Sequence, residues 1–257
     1  MIAFIHPFLG LLAVASAANP KLSSLQTRQS TCINPVSDQE FTWHSNCPKK
    51  ITVDSNGNCP IGQYTASSGC LSYCEAKVQW FFGPEVPYPE TQCQANSTCT
   101  FATSQSIIVT NTYSFNFGLT LGVGGDAGGP AAAFDLGATY SWSKSVGTTR
   151  TLTQPRPSSS LQYCGYWTFL PYYIASCGTS SMTTIHVANG LHYAPQSCDL
   201  SAYTSNDNVC NNTPYTDSAG NADGVDVFVL TNCSDNSKLP LSQQDARYAQ
   251  AGVAQSD

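Results

Sequence analysis

The sequence predicts a mainly β fold: disulfide-braced antiparallel sheets that carry one long amphipathic β-hairpin. Three observations predict it. Two runs of apolar/polar alternation flank a glycine-rich tip between residues 107 and 149. The chain carries 12 cysteines, yet none lies between Cys99 and Cys164. Aromatic residues make up 11% of the chain and charged residues only 10%, with 2 methionines, a composition that suits pleated sheet better than helix.

Taken in order, residues 1–17 form a short apolar run closing on Ala15-Ser16-Ala17, which reads as a signal peptide. The run is too short to cross a bilayer as a helix, and no later apolar stretch reaches the roughly 18–20 residues a span needs. Residues 18–31 are polar and aperiodic, a leader without a role in the fold. The chain is therefore expected to be secreted and extracellular. All the cysteines follow: Cys32, Cys47, Cys59, Cys70, Cys74, Cys93, Cys99, Cys164, Cys177, Cys198, Cys210 and Cys233. An even count in an exported chain reads as six disulfides, not as a metal site. Cys70-Leu-Ser-Tyr-Cys74 has zinc-like spacing, but no second pair follows at finger spacing. Asn96, Asn211 and Asn232 open Asn-x-Ser/Thr sequons and are the glycosylation candidates.

Residues 32–233 read as a single disulfide-braced β domain. Its first block has aromatic patches such as Phe41-Thr-Trp43 and Val78-Gln-Trp-Phe-Phe82, broken by Gly83-Pro84 and Pro87-Tyr-Pro89. Its last block has two clear strands, Tyr166-Trp-Thr-Phe-Leu and Gly224-Val-Asp-Val-Phe-Val-Leu. Residues 234–257 read as a polar tail, with a short helix after Ser242 capped by a Ser-x-x-Asp box through Asp245. Seven cysteines precede the cysteine-free window and five follow it, both odd numbers. At least one bridge must then join the blocks, and it is expected at the base of the hairpin. The pairing itself is left open.

In the window, Ile107, Val109, Asn111, Tyr113, Phe115, Phe117, Leu119, Leu121 and Val123 fall on one face, with threonines, serines, asparagines and glycines between them from Thr110 on. After Gly124 to Pro130 the alternation resumes with Phe134, Leu136, Ala138, Tyr140, Trp142 and Val146. Each run exceeds the roughly 9–11 residues of a membrane-spanning β-strand, and its polar face would suit a water-filled lumen. The segment 107–154, with Thr112-Tyr-Ser-Phe-Asn-Phe-Gly-Leu-Thr on one side of the tip and Ala138-Thr-Tyr-Ser-Trp-Ser-Lys-Ser-Val on the other, resembles the insertion region of aerolysin-type β-pore-forming proteins. The whole chain is similar to the small secreted cysteine-rich, effector-like proteins of filamentous fungi. The first resemblance implies a protein that binds a target membrane or a cell-surface glycan or receptor, forms a homo-oligomer there and threads hairpins into a barrel. The membrane-insertion candidates are Tyr113, Phe115, Phe117, Leu119, Leu121, Val123, Phe134, Leu136, Tyr140 and Trp142. The same alternation equally fits a hairpin packed by one face on the body, which makes the chain a carbohydrate- or protein-binding scaffold. The aromatics around Tyr172 and Tyr173 are the ligand-binding candidates for that scaffold.

Catalysis has little to stand on. The chain has no Gly-x-Ser-x-Gly elbow, no His-Glu-x-x-His helix and no phosphate-cradling loop, and beyond residue 17 its histidines are His44, His186 and His192. No enzyme activity, cofactor or metal is expected. Asp217 to Asp226 clusters oxygen ligands, but Ala219 stands where an EF-hand needs an acid, so a turn is the simpler reading. Net charge is −6, and residues 157–237 hold no lysine or arginine, which sets nucleic acid aside as a partner.

Overall fold

The computed structural model describes residues 32–35, 41–63, 65, 68–100, 104–113, 129–151, 155–187 and 196–251. The expected signal peptide and leader lie outside these residues. The fold is mainly β, and its axis is one strand, β5 (Cys164–Met182, 19 residues). At about 3.3 Å per residue it spans about 60 Å.

On one side of β5 runs β1 (Leu71–Phe82), followed after Gly83-Pro84-Glu85 by β2 (Val86–Cys93). On the other runs β8 (Thr204–Pro214), followed by β9 (Gly224–Thr231). All four are antiparallel to β5. Both flanking lines change strand at the same level. Phe82 pairs with Tyr172 and Val86 with Phe169, while Pro214 pairs with Tyr173 and Gly224 with Pro171. Pro171 sits at this handover, where a residue with no N–H to donate is tolerated in a central strand. Its carbonyl still accepts from Gly83 N at 2.8 Å. Gly224 is required there, because a β-carbon on it would stand 2.3 Å from the Leu170 carbonyl oxygen.

Both faces of the sheet are covered, so β5 reads as a near-continuous apolar run and not as a clean alternation. One face carries Val78, Trp80, Phe82, Leu170, Tyr172, Ile174, Val227 and Val229, packed under Ile33, Tyr140 and Tyr248. The opposite face carries Phe81, Trp167, Phe169, Tyr173, Ala175 and Phe228. Over it lies a two-stranded hairpin, β3 (Gln105–Thr110) with β4 (Ser145–Arg150), through Ile107, Val109 and Val146. Two short strands, β6 (Ile185–Val187) and β7 (Gln196–Cys198), pair with each other.

The expected hairpin is thus present only at its base. Pairing runs from Gln105↔Arg150 to Thr110↔Ser145. Residues 114–128, including the expected tip from Gly124 to Gly128, lie outside the described residues, and the last two tip residues, Gly129 and Pro130, open a helix instead. The second run is corrected: residues read as strand from Phe134 instead begin in helix α1 (Gly129–Gly137) and continue as irregular chain to Lys144. Three consecutive alanines, Ala131 to Ala133, favour the helix, with Pro130 in its first turn and Gly137 at its end.

Six disulfides brace the body: Cys32–Cys47, Cys59–Cys74, Cys70–Cys198, Cys93–Cys99, Cys164–Cys233 and Cys177–Cys210. Cys70 and Cys74 belong to different bridges, which rules out the zinc reading. One bridge, Cys70–Cys198, joins the two cysteine blocks as parity requires, across 128 residues. Closing a loop of that size restricts the unfolded chain by about 5 kcal/mol on the entropic model. Its position differs from the expected one. It clips the end of the sheet where Leu71 pairs with Met182, far along the chain from β3 and β4. The window is closed instead by Arg156, whose Nη1 donates to Gln94 O at 3.2 Å and whose Nη2 donates to Tyr163 O at 2.6 Å and to Ser160 O.

The stretch after residue 233 is not a free tail as far as Ala251. Tyr248, on helix α2 (Ala246–Gln250), is buried in the core and donates to Glu85 at 3.0 Å. The cap is also reassigned: Asp245 itself accepts from Arg247 N, while Ser242 lies in a preceding 3-10 turn.

Candidate functional site

The cysteine-free segment wraps one edge of the sheet, and the residues that hold it there form the candidate site. β8 has β5 as its strand neighbour, which leaves its outer edge to be satisfied by other groups. Asn111, just past β3, turns its amide to that edge, donating to Asn212 O at 2.7 Å and to Ser143 O at 3.2 Å. Ser143 N donates to Thr213 Oγ1 at 2.9 Å, and Thr213 Oγ1 in turn donates to Ser141 O at 3.3 Å. From β3 and β4 on one face, the chain therefore crosses past β8 to α1 and Tyr140 on the other.

There the segment meets β1. The register slip between Glu75 and Lys77 is a bulge that puts Tyr73 and Glu75 on the same face as Val78 and Trp80. Phe134 of α1, fully buried, packs against Tyr73 with ring centroids 4.9 Å apart, beside Ala133, Ala138 and Val209. Glu75 is only 3% exposed. Its Oε2 accepts from Thr139 N at 3.0 Å and from Ser176 Oγ at 2.6 Å, and its Oε1 accepts from the Thr139 hydroxyl. A buried carboxylate is tolerated only when its oxygens are satisfied in this way. Trp142 N donates to Asp135 Oδ1 and Lys50 Nζ to Asp135 O, both at 2.8 Å, which fixes the helix and the chain after it. No bridge touches the segment between Cys99 and Cys164, so all of these ties are non-covalent.

The structure scatters the insertion candidates over this arrangement. Tyr113 lies on the hairpin face, edge-on to Phe81 and Tyr173 at 5.8 and 5.7 Å, and burial pushes its phenol above the usual range. Phe115, Phe117, Leu119, Leu121 and Val123 lie outside the described residues. Tyr140 is buried near Tyr215, its phenol raised first by burial and then by the Tyr215 and Glu75 charges. Trp142 is half-buried, whereas Leu136 is 57% exposed. The structure does not bring the aromatics Tyr113, Tyr140 and Trp142 into one band.

Tyr172 and Tyr173 are corrected. Both are buried, Tyr172 against Trp80 and Phe82 at 5.2 and 5.5 Å, and neither offers a face to a ligand. Asn96 and Asn232 are exposed, but Asn211 on β8 is 1% exposed and has no room for a glycan in the fold. His186 is on the surface, 3.8 Å from Asp199. The Asp217 loop closes on itself, Oδ1 accepting from Ala219 N and Asn221 N at 2.8 and 2.9 Å, as a turn does.

Glu75 and Asn111 were not singled out by sequence reasoning, although each carries a signal. Asn111 is the one amide on an otherwise apolar face of its run, and Glu75 is the one acid within the aromatic run 71–82. Six disulfides are a feature of extracellular and secreted proteins, and no helix among the described residues is long and apolar enough to cross a membrane. Comparison with protein-family models, curated proteins and solved structures finds no match.

Proposed function

We propose that this chain is a secreted, non-enzymatic effector or toxin-like protein that acts at a target cell surface by releasing its cysteine-free segment into the membrane as a β-hairpin and assembling there as a homo-oligomeric pore. The observation that carries the reading is the division of the chain by its covalent ties. Every bridge braces the body, while the described residues between Asn111 and Lys144 are held by hydrogen bonds and by apolar packing of Tyr113, Phe134 and Tyr140, without a covalent tie. Such a segment can leave without breaking the body.

A second observation supports it. Local pattern and local structure usually agree in a folded protein, and conflict between them concentrates at functional elements. Residues 134–146 carry strand-type alternation, yet the soluble fold starts them as helix. One sequence compatible with two packings is what a switch from surface strap to spanning strand requires.

Dye-loaded liposomes of target-cell lipid and intact target cells test the proposal. Leakage at micromolar protein is expected. Failure to permeabilise either one would leave the segment as a purely structural strap.

A further inference from the structure

We infer that the protein carries a binding groove for a neutral saccharide on the outer side of β2, at the end of the sheet remote from α1. Pairing of β2 with β5 is interrupted between Pro87↔Thr168 and Gln92↔Tyr166, so residues 88–91 leave the ladder. A cleft of about 330 Å³ opens beside them, lined by Pro87, Tyr88, Glu90, Thr91, Gln92 and Tyr166. That volume lies at the lower end of small-ligand sites. A second depression adjoins it across the Gln92–Tyr166 pair and adds Gln94 and Asn236.

The groove is held rigid from beneath. The Tyr88 hydroxyl donates to Asp226, the Tyr166 hydroxyl donates to Glu85 at 3.1 Å, and the Thr91 hydroxyl faces the carbonyls of Tyr88 and Trp167 at 3.0 and 3.1 Å. Glu90 has φ 56°, a left-handed conformation that non-glycine residues rarely adopt and that clusters at binding sites. The Glu90 and Gln92 side chains are exposed.

The chemistry on offer selects the ligand. Carboxamides both donate and accept, a carboxylate accepts from hydroxyls, and the half-buried Tyr166 ring, unlike the buried Tyr88, can pack against the apolar face of a pyranose. No lysine or arginine lines either depression, so sulfated, phosphorylated or uronic sugars find no counter-charge and meet Glu90 instead. The groove does not depend on the membrane reading.

A glycan array of neutral and acidic oligosaccharides, followed by calorimetry on the strongest neutral binder, tests the inference on soluble protein without membrane. Neutral binding is expected, with uronic analogues weaker. Glu90→Ala and Gln92→Ala should each weaken it by about tenfold, with the melting temperature unchanged because both side chains are exposed. Absence of any neutral binder, or binding that both substitutions leave intact, overturns the assignment. Liposome leakage, measured separately on glycan-free vesicles, stands or falls independently.

Discussion

Gly137, the last residue of α1, lies so close to Tyr73 on β1 that a β-carbon on it would stand 1.7 Å from the Tyr73 carbonyl oxygen. The helix reaches the sheet because this one residue has no side chain. That contact, with the Phe134–Tyr73 ring pair beside it, sets how tightly the segment lies on the body.

Gly137→Ala should therefore lift α1 from β1. The obstruction is backbone, which cannot swing aside, so a loss at the upper end of the about 1–3 kcal/mol typical of overpacked cores is expected. Urea unfolding measures it, and amide exchange across 129–144 should rise more than exchange across β5.

Glu75→Gln keeps the shape but leaves one accepting oxygen where three donors now converge. Unsatisfied buried donors cost about 1–3 kcal/mol. Exchange at Thr139 should accelerate, and on the membrane reading the lag before leakage should shorten.

Arg156→Lys probes the closure of the window. The guanidinium is 4.5 Å from the Phe228 ring centroid and satisfies main-chain carbonyls from both flanks. Burial lowers its pKa, but the group stays protonated. Lysine keeps the charge and loses the planar fork, so a drop of about 2–3 kcal/mol in chemical stability is expected. The disulfide pattern by peptide mapping should not change.

Asp245 gives a pH signature. Its hydrogen bonds from Arg247 depress its pKa in the fold. A depressed acid stabilises fully above its unfolded value, near 3.9, and that contribution is lost as pH falls through the lower folded value. Thermal unfolding should show this loss below about pH 4. Asp245→Ala should remove the loss and cost about 1 kcal/mol at neutral pH, the usual worth of a helix cap.

Much of this architecture can be read in the sequence. An even cysteine count past an apolar leader gives six bridges, and odd counts on either side of the window require one across it, as Cys70–Cys198 provides. Tyr166 to Leu170 reads as strand, and Pro171 argues against its continuing; only the simultaneous change of both neighbouring strands makes a central proline acceptable, and that is a tertiary fact. α1 fails for the opposite reason. Phe134, Leu136 and Ala138 alternate like a strand, while the alanine run and Gly137 allow a helix, and the close approach to Tyr73 decides between them. The exposed aromatics expected at Tyr172 and Tyr173 are core because β5 is covered on both faces, which a near-continuous apolar run signals less clearly than alternation does.

The most direct measurement compares leakage by two variants altered at exposed positions. Leu136 is 57% exposed and Ile108 is 68% exposed, so Leu136→Arg and Ile108→Arg should both leave the unfolding free energy unchanged within about 0.5 kcal/mol. In an inserted hairpin Leu136 belongs to the apolar, lipid-facing set and Ile108 to the opposite, lumen-facing one. An arginine facing lipid costs about 2–4 kcal/mol per strand near the bilayer centre, and one facing the lumen costs little. Abolished leakage for Leu136→Arg with retained leakage for Ile108→Arg is the predicted result; equal leakage from the two variants would contradict membrane insertion by this segment.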